Sequence, residues 1–225
     1  MTGALVNAAA ILLGGAAGLC LRGGIPETVR KNVMQAMGLA VLIIALKMAL
    51  QTQNIVALII ALAAGTALGA WLDLDGRLTR FAASVTGLTG ARFGDVGKGF
   101  VSASLLYCLG AMGIVGALAE GLTGDASTLL AKATIDGVTA IILAASMGLG
   151  VLFAAIPVLL YEGAITLGAS SLSSFFNEAM LAETNGVGGV LVLAIGINML
   201  EMAEIRIANL LPAIFVVLAL VYMGI

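Results

Sequence analysis

The chain has 225 residues, 61% of them hydrophobic and only 10% charged, and its mean hydropathy is +1.17. A soluble domain carries about 25% charged residues, so a soluble core of this size is excluded and an all-α polytopic membrane protein is expected. With a net charge of −2 and no histidine, nucleic-acid binding is not expected, and any metal chemistry would rest on carboxylates.

The first apolar run ends at Leu19-Cys20. No Lys or Arg precedes it, and Ala17-Gly18-Leu19 suits signal cleavage poorly, so a retained span is expected. A membrane helix needs about 20 mostly apolar residues. On that measure spans fall near 3–21, 32–50, 54–71, 99–120, 126–154, 157–173, 186–202 and 205–224, eight within a single transmembrane domain over 1–225. Only Ala155, Ile156 and Pro157 separate the fifth from the sixth, so seven spans, or one broken element, stay open. Cys20 and Cys108 lie in apolar segments and read as buried free thiols.

Basic residues set the orientation. Arg22, Arg30, Lys31, Arg77, Arg80, Arg92, Lys98 and Arg206 share one side when the spans number eight. The other side's connections hold only Lys132, while Lys47 can snorkel from the second span. Termini on the outer face of a bacterial inner membrane follow. In the cytoplasmic connection 72–98, Trp71, Leu74, Leu78, Phe81, Val85 and Leu88 recur at steps of three and four, with Asp73, Arg77 and Arg80 opposite. That pattern predicts an interfacial amphipathic helix; a helix that docks a partner is the alternative.

"LVNAAAILLGG" (5–15) resembles "LLYEGAITLGA" (159–169), and "MGLAVLIIALKM" (37–48) resembles "GGVLVLAIGINM" (188–199), with 10 of 23 positions identical. Given opposite directions for the first and sixth spans, the pattern reads as an inverted repeat of spans 1–3 and 6–8, a common carrier architecture. The alternative is coincidence among apolar helices. The glycine pairs Gly14/Gly18 and Gly65/Gly69 read as flat faces for close helix packing, with Gly148 and Gly150 as candidate hinges.

The stretch Ala119–Ala140 is the most polar one set among the spans. Gly121 and Gly124 bracket a turn, Asp125 is placed to cap the following helix, and Lys132, Asp136 and Thr139 share one face, with Ser146 two turns on. One reading is a polar stripe descending into the bundle, since ionisable residues at membrane depth are costly unless paired or wetted. The other is a surface Lys–Asp pair on a helix about 44 Å long at 1.5 Å per residue, protruding from the bilayer. Glu162, past Pro157, is a further candidate carboxylate. Asn7 and Asn198 suit hydrogen bonds between helices. Glu178 and Glu183 make an acidic outer loop, read as plain solvation or a lure for cations.

The segment "GALAEGLTGDASTLLAKATIDGVTAI" (116–141), together with "LVNAAAILLGG", "IPE" (25–27) and "NLLPAI" (209–214), resembles the signature of an uncharacterised family of bacterial inner-membrane proteins of the YqgA/YdfK type. The resemblance covers essentially the whole chain. It carries over Asn7, Glu120, Gly121, Gly124, Asp125, Lys132, Asp136, Thr139 and Asn209, and implies placement and fold type without naming a reaction. The resemblance implies glutamine at the place of Glu162, so it does not carry over a charge there.

Together these readings predict a carrier or channel for a small solute or ion, with path candidates Asn7, Glu120, Asp125, Lys132, Asp136, Thr139, Glu162, Asn198 and Asn209. The alternative is a non-transporting scaffold or sensor that docks a cytoplasmic partner. No nucleophile–base set, metal-ligand spacing or phosphate loop is recognisable, so no catalysis, metal or cofactor is expected. The expected partners are the lipid bilayer and the solute, and a homo-oligomer is left open.

Overall fold

The described apolar segments fold as helices, because a helix satisfies its own backbone where no water can. The computed structural model describes residues 1–23, 26–77, 80, 96–108, 111–172 and 177–224. In chain order the helices are α1 (Thr2–Arg22), α2 (Glu27–Ala49), α3 (Ile55–Trp71), α4 (Val96–Cys108), α5 (Ala111–Thr123), α6 (Ser127–Met147), α7 (Gly150–Phe153), α8 (Ala155–Leu167), α9 (Ala169–Leu172), α10 (Glu178–Met199), a 3-10 turn (Ile207–Leu210) and α11 (Pro212–Tyr222).

Among the described residues four helical stretches are long and apolar enough to cross a membrane: α1, α6, the run Gly150–Leu167, and α10. A fifth is added if α4 and α5, bent by 57° at their junction, count as one span. Met34–Ala49, α3 and Ile207–Tyr222 are shorter apolar helices. Leu13, Ile43, Leu160 and Phe215 are exposed, apolar surface of the kind that lipid covers.

Several expected boundaries move. The fifth span stops at Met147, where Gly148 takes a φ of 91° that side chains rarely adopt. Its 21 residues measure about 32 Å, close to the hydrocarbon thickness of about 30 Å, so no protruding end is needed. Pro157 lies inside the first turn of α8, where its missing N–H costs nothing. α10 begins at Glu178, eight residues before the expected 186, which makes Glu183 and Asn185 helical rather than part of a loop. Cys20 is exposed on α1 and Cys108 half-buried; both are free. Of the expected interfacial stripe, Trp71 and Leu74 are described, whereas Leu78, Phe81, Val85 and Leu88 lie outside the described residues. Asp73 pairs with Arg80 at 3.2 Å in an exposed contact.

The chain forms two compact units, one of residues 1–34 and 82–175, the other of 35–81 and 176–225. In the first, α1 runs parallel to α6: Gly3 meets Leu129, Gly14 meets Gly137, and Gly18 meets Ile141 and Ala145. α8 runs back along α1, bringing Gly163 to Met1. A β-carbon on Gly14 or Gly18 would strike the carbonyl oxygen of Gly137 or Ile141, so close packing is the reason for these glycines. In the second unit α10 lies antiparallel to α2, Gly189 against Ala45 and Ala49 and Gly196 against Gly38 and Leu42. α11 likewise runs opposite to α3, with Ala213 at Gly65 and Asn209 at Gly69.

Gly18→Val should therefore destabilise the protein by about 1–3 kcal/mol or more, the range for overpacking. Gly23→Ala, in open space with φ −69°, should stay within about 0.5 kcal/mol of the parent. Melting in detergent compares the two.

Candidate functional site

Lys132 and Asp136 are one turn apart on α6, and their side chains meet in an ion pair. This pair is no surface feature. Relative exposure is 7% for Lys132 and 6% for Asp136, and two other helices close over it. α8 presents Glu162, wholly buried, whose Oε1 lies 3.3 Å from Lys132 Nζ. α1 presents Asn7, also wholly buried, whose Nδ2 donates to Asp136 Oδ2 at 3.1 Å and to Glu162 Oε1 at 2.8 Å. Gly113 of α5 faces Lys132 and Tyr161. One ammonium and one amide thus serve two carboxylates from different helices. Asn7 Oδ1 and Glu162 Oε2 remain buried without a hydrogen-bond partner among the described residues.

The other expected site residues lie elsewhere. Glu120 is buried near the end of α5, its Oε1 accepting the Gly3 N–H at 3.0 Å and standing 2.9 Å from the Met1 amino group. Asp125 is exposed and accepts the Ser127 N–H at 2.9 Å, a hydrogen bond that holds its carboxyl below the usual aspartate range. Thr139 bonds the Ile135 carbonyl of its own helix, so the polar stripe of α6 stops short of it. In the second unit Asn198 closes a loop on both polar groups of the Ile205 backbone, and Asn209 accepts the Asp75 N–H at 3.0 Å.

Glu183 has a role the sequence did not suggest. Only 3% exposed, it accepts hydrogen bonds from Thr52 Oγ1 (2.5 Å), Gln53 N–H (2.6 Å) and Asn54 N–H (2.9 Å). Beside it Asn185 donates to Gln51 Oε1 at 2.7 Å. Neither solvation nor a lure for cations describes this carboxylate: it anchors the turn between α2 and α3. Its one sequence signal is the polar run Gln51-Thr52-Gln53-Asn54, which needs a buried acceptor once the helix ends pack.

Removing one partner of a buried ion pair typically costs about 3–5 kcal/mol, because the other charge is stranded. Lys132→Met should therefore melt well below the parent. Combining it with Asp136→Leu and Glu162→Gln should restore most of the loss. A thermal series in detergent checks this; equal melting temperatures for parent and variants would return the pair to a water-washed surface.

Comparison with known proteins agrees with the membrane character of this fold. "Uncharacterized protein YqgA" of Escherichia coli (strain K12) is 31% identical over 223 residues, covering 97% of this chain and 95% of that protein. "Uncharacterized membrane protein YdfK" of Bacillus subtilis (strain 168) is 30% identical over 222 residues, covering 96% and 93%. No solved structure matches. The profile of a family described as a protein of unknown function, DUF554, matches residues 2–222, and the chain belongs to that family.

Proposed function

We propose that this chain is a transport protein, a secondary carrier or channel, for a small solute or ion across the bacterial inner membrane. The observation that carries this reading is the buried cluster of Asn7, Lys132, Asp136 and Glu162. Ionisable side chains inside a membrane bundle are expensive and characteristically mark substrate or ion pathways.

Helix directions support the finer architecture. α1 and α6 are parallel, so if both cross the bilayer an odd number of crossings separates them. α2, α3 and the bent α4–α5 pair supply three. With the Gly150–Leu167 run, α10 and α11, the total is eight. The inverted repeat gains support from its pairs: α1 with α8, α2 with α10 and α3 with α11 each run antiparallel, as an axis in the membrane plane requires. Basic residues then put the termini outside, and the 71–88 stripe on the inner leaflet.

Three measurements test this, the two labelling ones in protein with Cys20 and Cys108 replaced. A cysteine at Gly23 should react only with membrane-permeant reagent in intact cells, and one at Thr123 with impermeant reagent too; the reverse pattern overturns the orientation. In Gly113→Cys, the new thiol beside the cluster should be modified by a small hydrophilic reagent. Proteoliposomes on a solid-supported membrane should give solute-driven currents that Asp136→Asn abolishes. An unreactive thiol in Gly113→Cys, with no current from a broad panel of ions, amino acids and organic acids, favours the scaffold or sensor.

A further inference from the structure

The cluster's charges do not balance. Lys132 contributes one positive charge, Asp136 and Glu162 two negative ones, so the fully ionised set carries −1 with every member at most 7% exposed. Uncompensated charge in such surroundings is costly. The hydrogen bonds are uneven as well. Asp136 Oδ2 takes both the Lys132 ion pair and an Asn7 N–H, whereas Glu162 is farther from the ammonium, at 3.3 Å. Its second oxygen has no partner among the described residues, and neither has Asn7 Oδ1. The site lacks one positive charge and one donor.

We propose that Glu162 is the proton-binding group of this site, taking one proton from water onto Oε2 while Lys132 and Asp136 stay ionised. The inference rests on the transport reading and names the proton as the coupled or carried ion. Protonation brings the cluster from −1 to 0 and turns an orphan acceptor into a donor. A metal cation fits the same place less well. The Lys132 ammonium already holds the position between the carboxylates, and a hard cation wants about six or more oxygen ligands. Asn7 Oδ1 and Glu162 Oε2 are the buried side-chain oxygens of the four cluster residues left without a hydrogen-bond partner among the described residues. The other titratable groups that the Glu162 charge reaches are Cys108 at the end of α4 and Tyr161 on its own helix. Tyr107 of α4, buried with an unpartnered hydroxyl, is within electrostatic reach of Asp136.

Infrared difference spectroscopy of the whole protein in lipid, titrated with pH alone and then with sodium chloride, reads this proton directly. One protonated-carboxyl band should persist above about pH 6, where exposed carboxylates have ionised. It should shift in heavy water, vanish in Glu162→Gln, and ignore sodium. Glu162→Asp, which keeps a carboxyl, should retain one band at a shifted frequency. In Lys132→Met a second band should appear, as Asp136 loses its counter-charge. A band unchanged in Glu162→Gln or Glu162→Asp, one that sodium removes, or no such band in the parent overturns the assignment. Proton flux in proteoliposomes carrying a trapped pH dye separates the two readings. The band without flux leaves the proton site standing and counts against transport; flux unchanged by Glu162→Gln keeps transport and removes Glu162 from it.

Discussion

The structure of the first unit depends on one constraint: an ammonium placed inside a membrane bundle must have its counter-charges delivered to it. Asp136 comes with Lys132 on the same helix, but Glu162 and Asn7 come from elsewhere. Asparagine is short, so its amide can touch both carboxylates only where α1 and α6 approach closely. The bare faces of Gly14 and Gly18 against Gly137 and Ile141 permit that approach. Dispersion along the seam therefore does more than stabilise it. It sets the reach within which the polar contacts form.

The break at Gly148 plays the corresponding part for Glu162. From Asp136 to Met147 is about 16 Å of helix, and from Gly150 to Glu162 about 18 Å, at 1.5 Å per residue. Equal lengths on either side of a turn bring both carboxylates to the same depth. A turn at Ala155–Pro157, where the sequence suggests it, would put Glu162 about 7 Å past the turn and Asp136 about 27 Å before it. The two would then stand roughly 20 Å apart in depth. One glycine in a left-handed conformation decides whether the cluster exists.

This also explains how much was legible in the sequence. The helices were readable because apolar runs of membrane length have few alternatives. The Lys132–Asp136 pair was readable because i,i+4 spacing is local. Glu162 could be named as a candidate, but not joined to the pair, because Pro157 is the stronger written signal for a turn and Gly148 one glycine among 30. Thr139 shares the right face by spacing, yet its hydroxyl has a carbonyl of its own helix in reach at 2.8 Å. Glu183 was hidden for another reason. A carboxylate before an apolar run looks like a loop residue until the turn it anchors, 130 positions away, is folded against it.

The polar contacts of the two units differ in what they satisfy, the backbone contacts of Glu120 and Asp125 in the first and the Asn185–Gln51 pair in the second aside. In the second, Glu183, Asn54, Asn198 and Asn209 all turn to backbone groups at helix ends or connections. Such groups would otherwise be unpaired, so these side chains stabilise the fold directly. In the first unit the side chains of Asn7, Lys132, Asp136 and Glu162 turn to one another. A buried set of that kind is often no more stable than apolar residues of the same volume, and replacing it can stabilise a protein by about 1–4 kcal/mol. Backbone capping explains the polar residues of the second unit as architecture. It offers no such explanation for the cluster, and that difference is what the proposed proton site would account for.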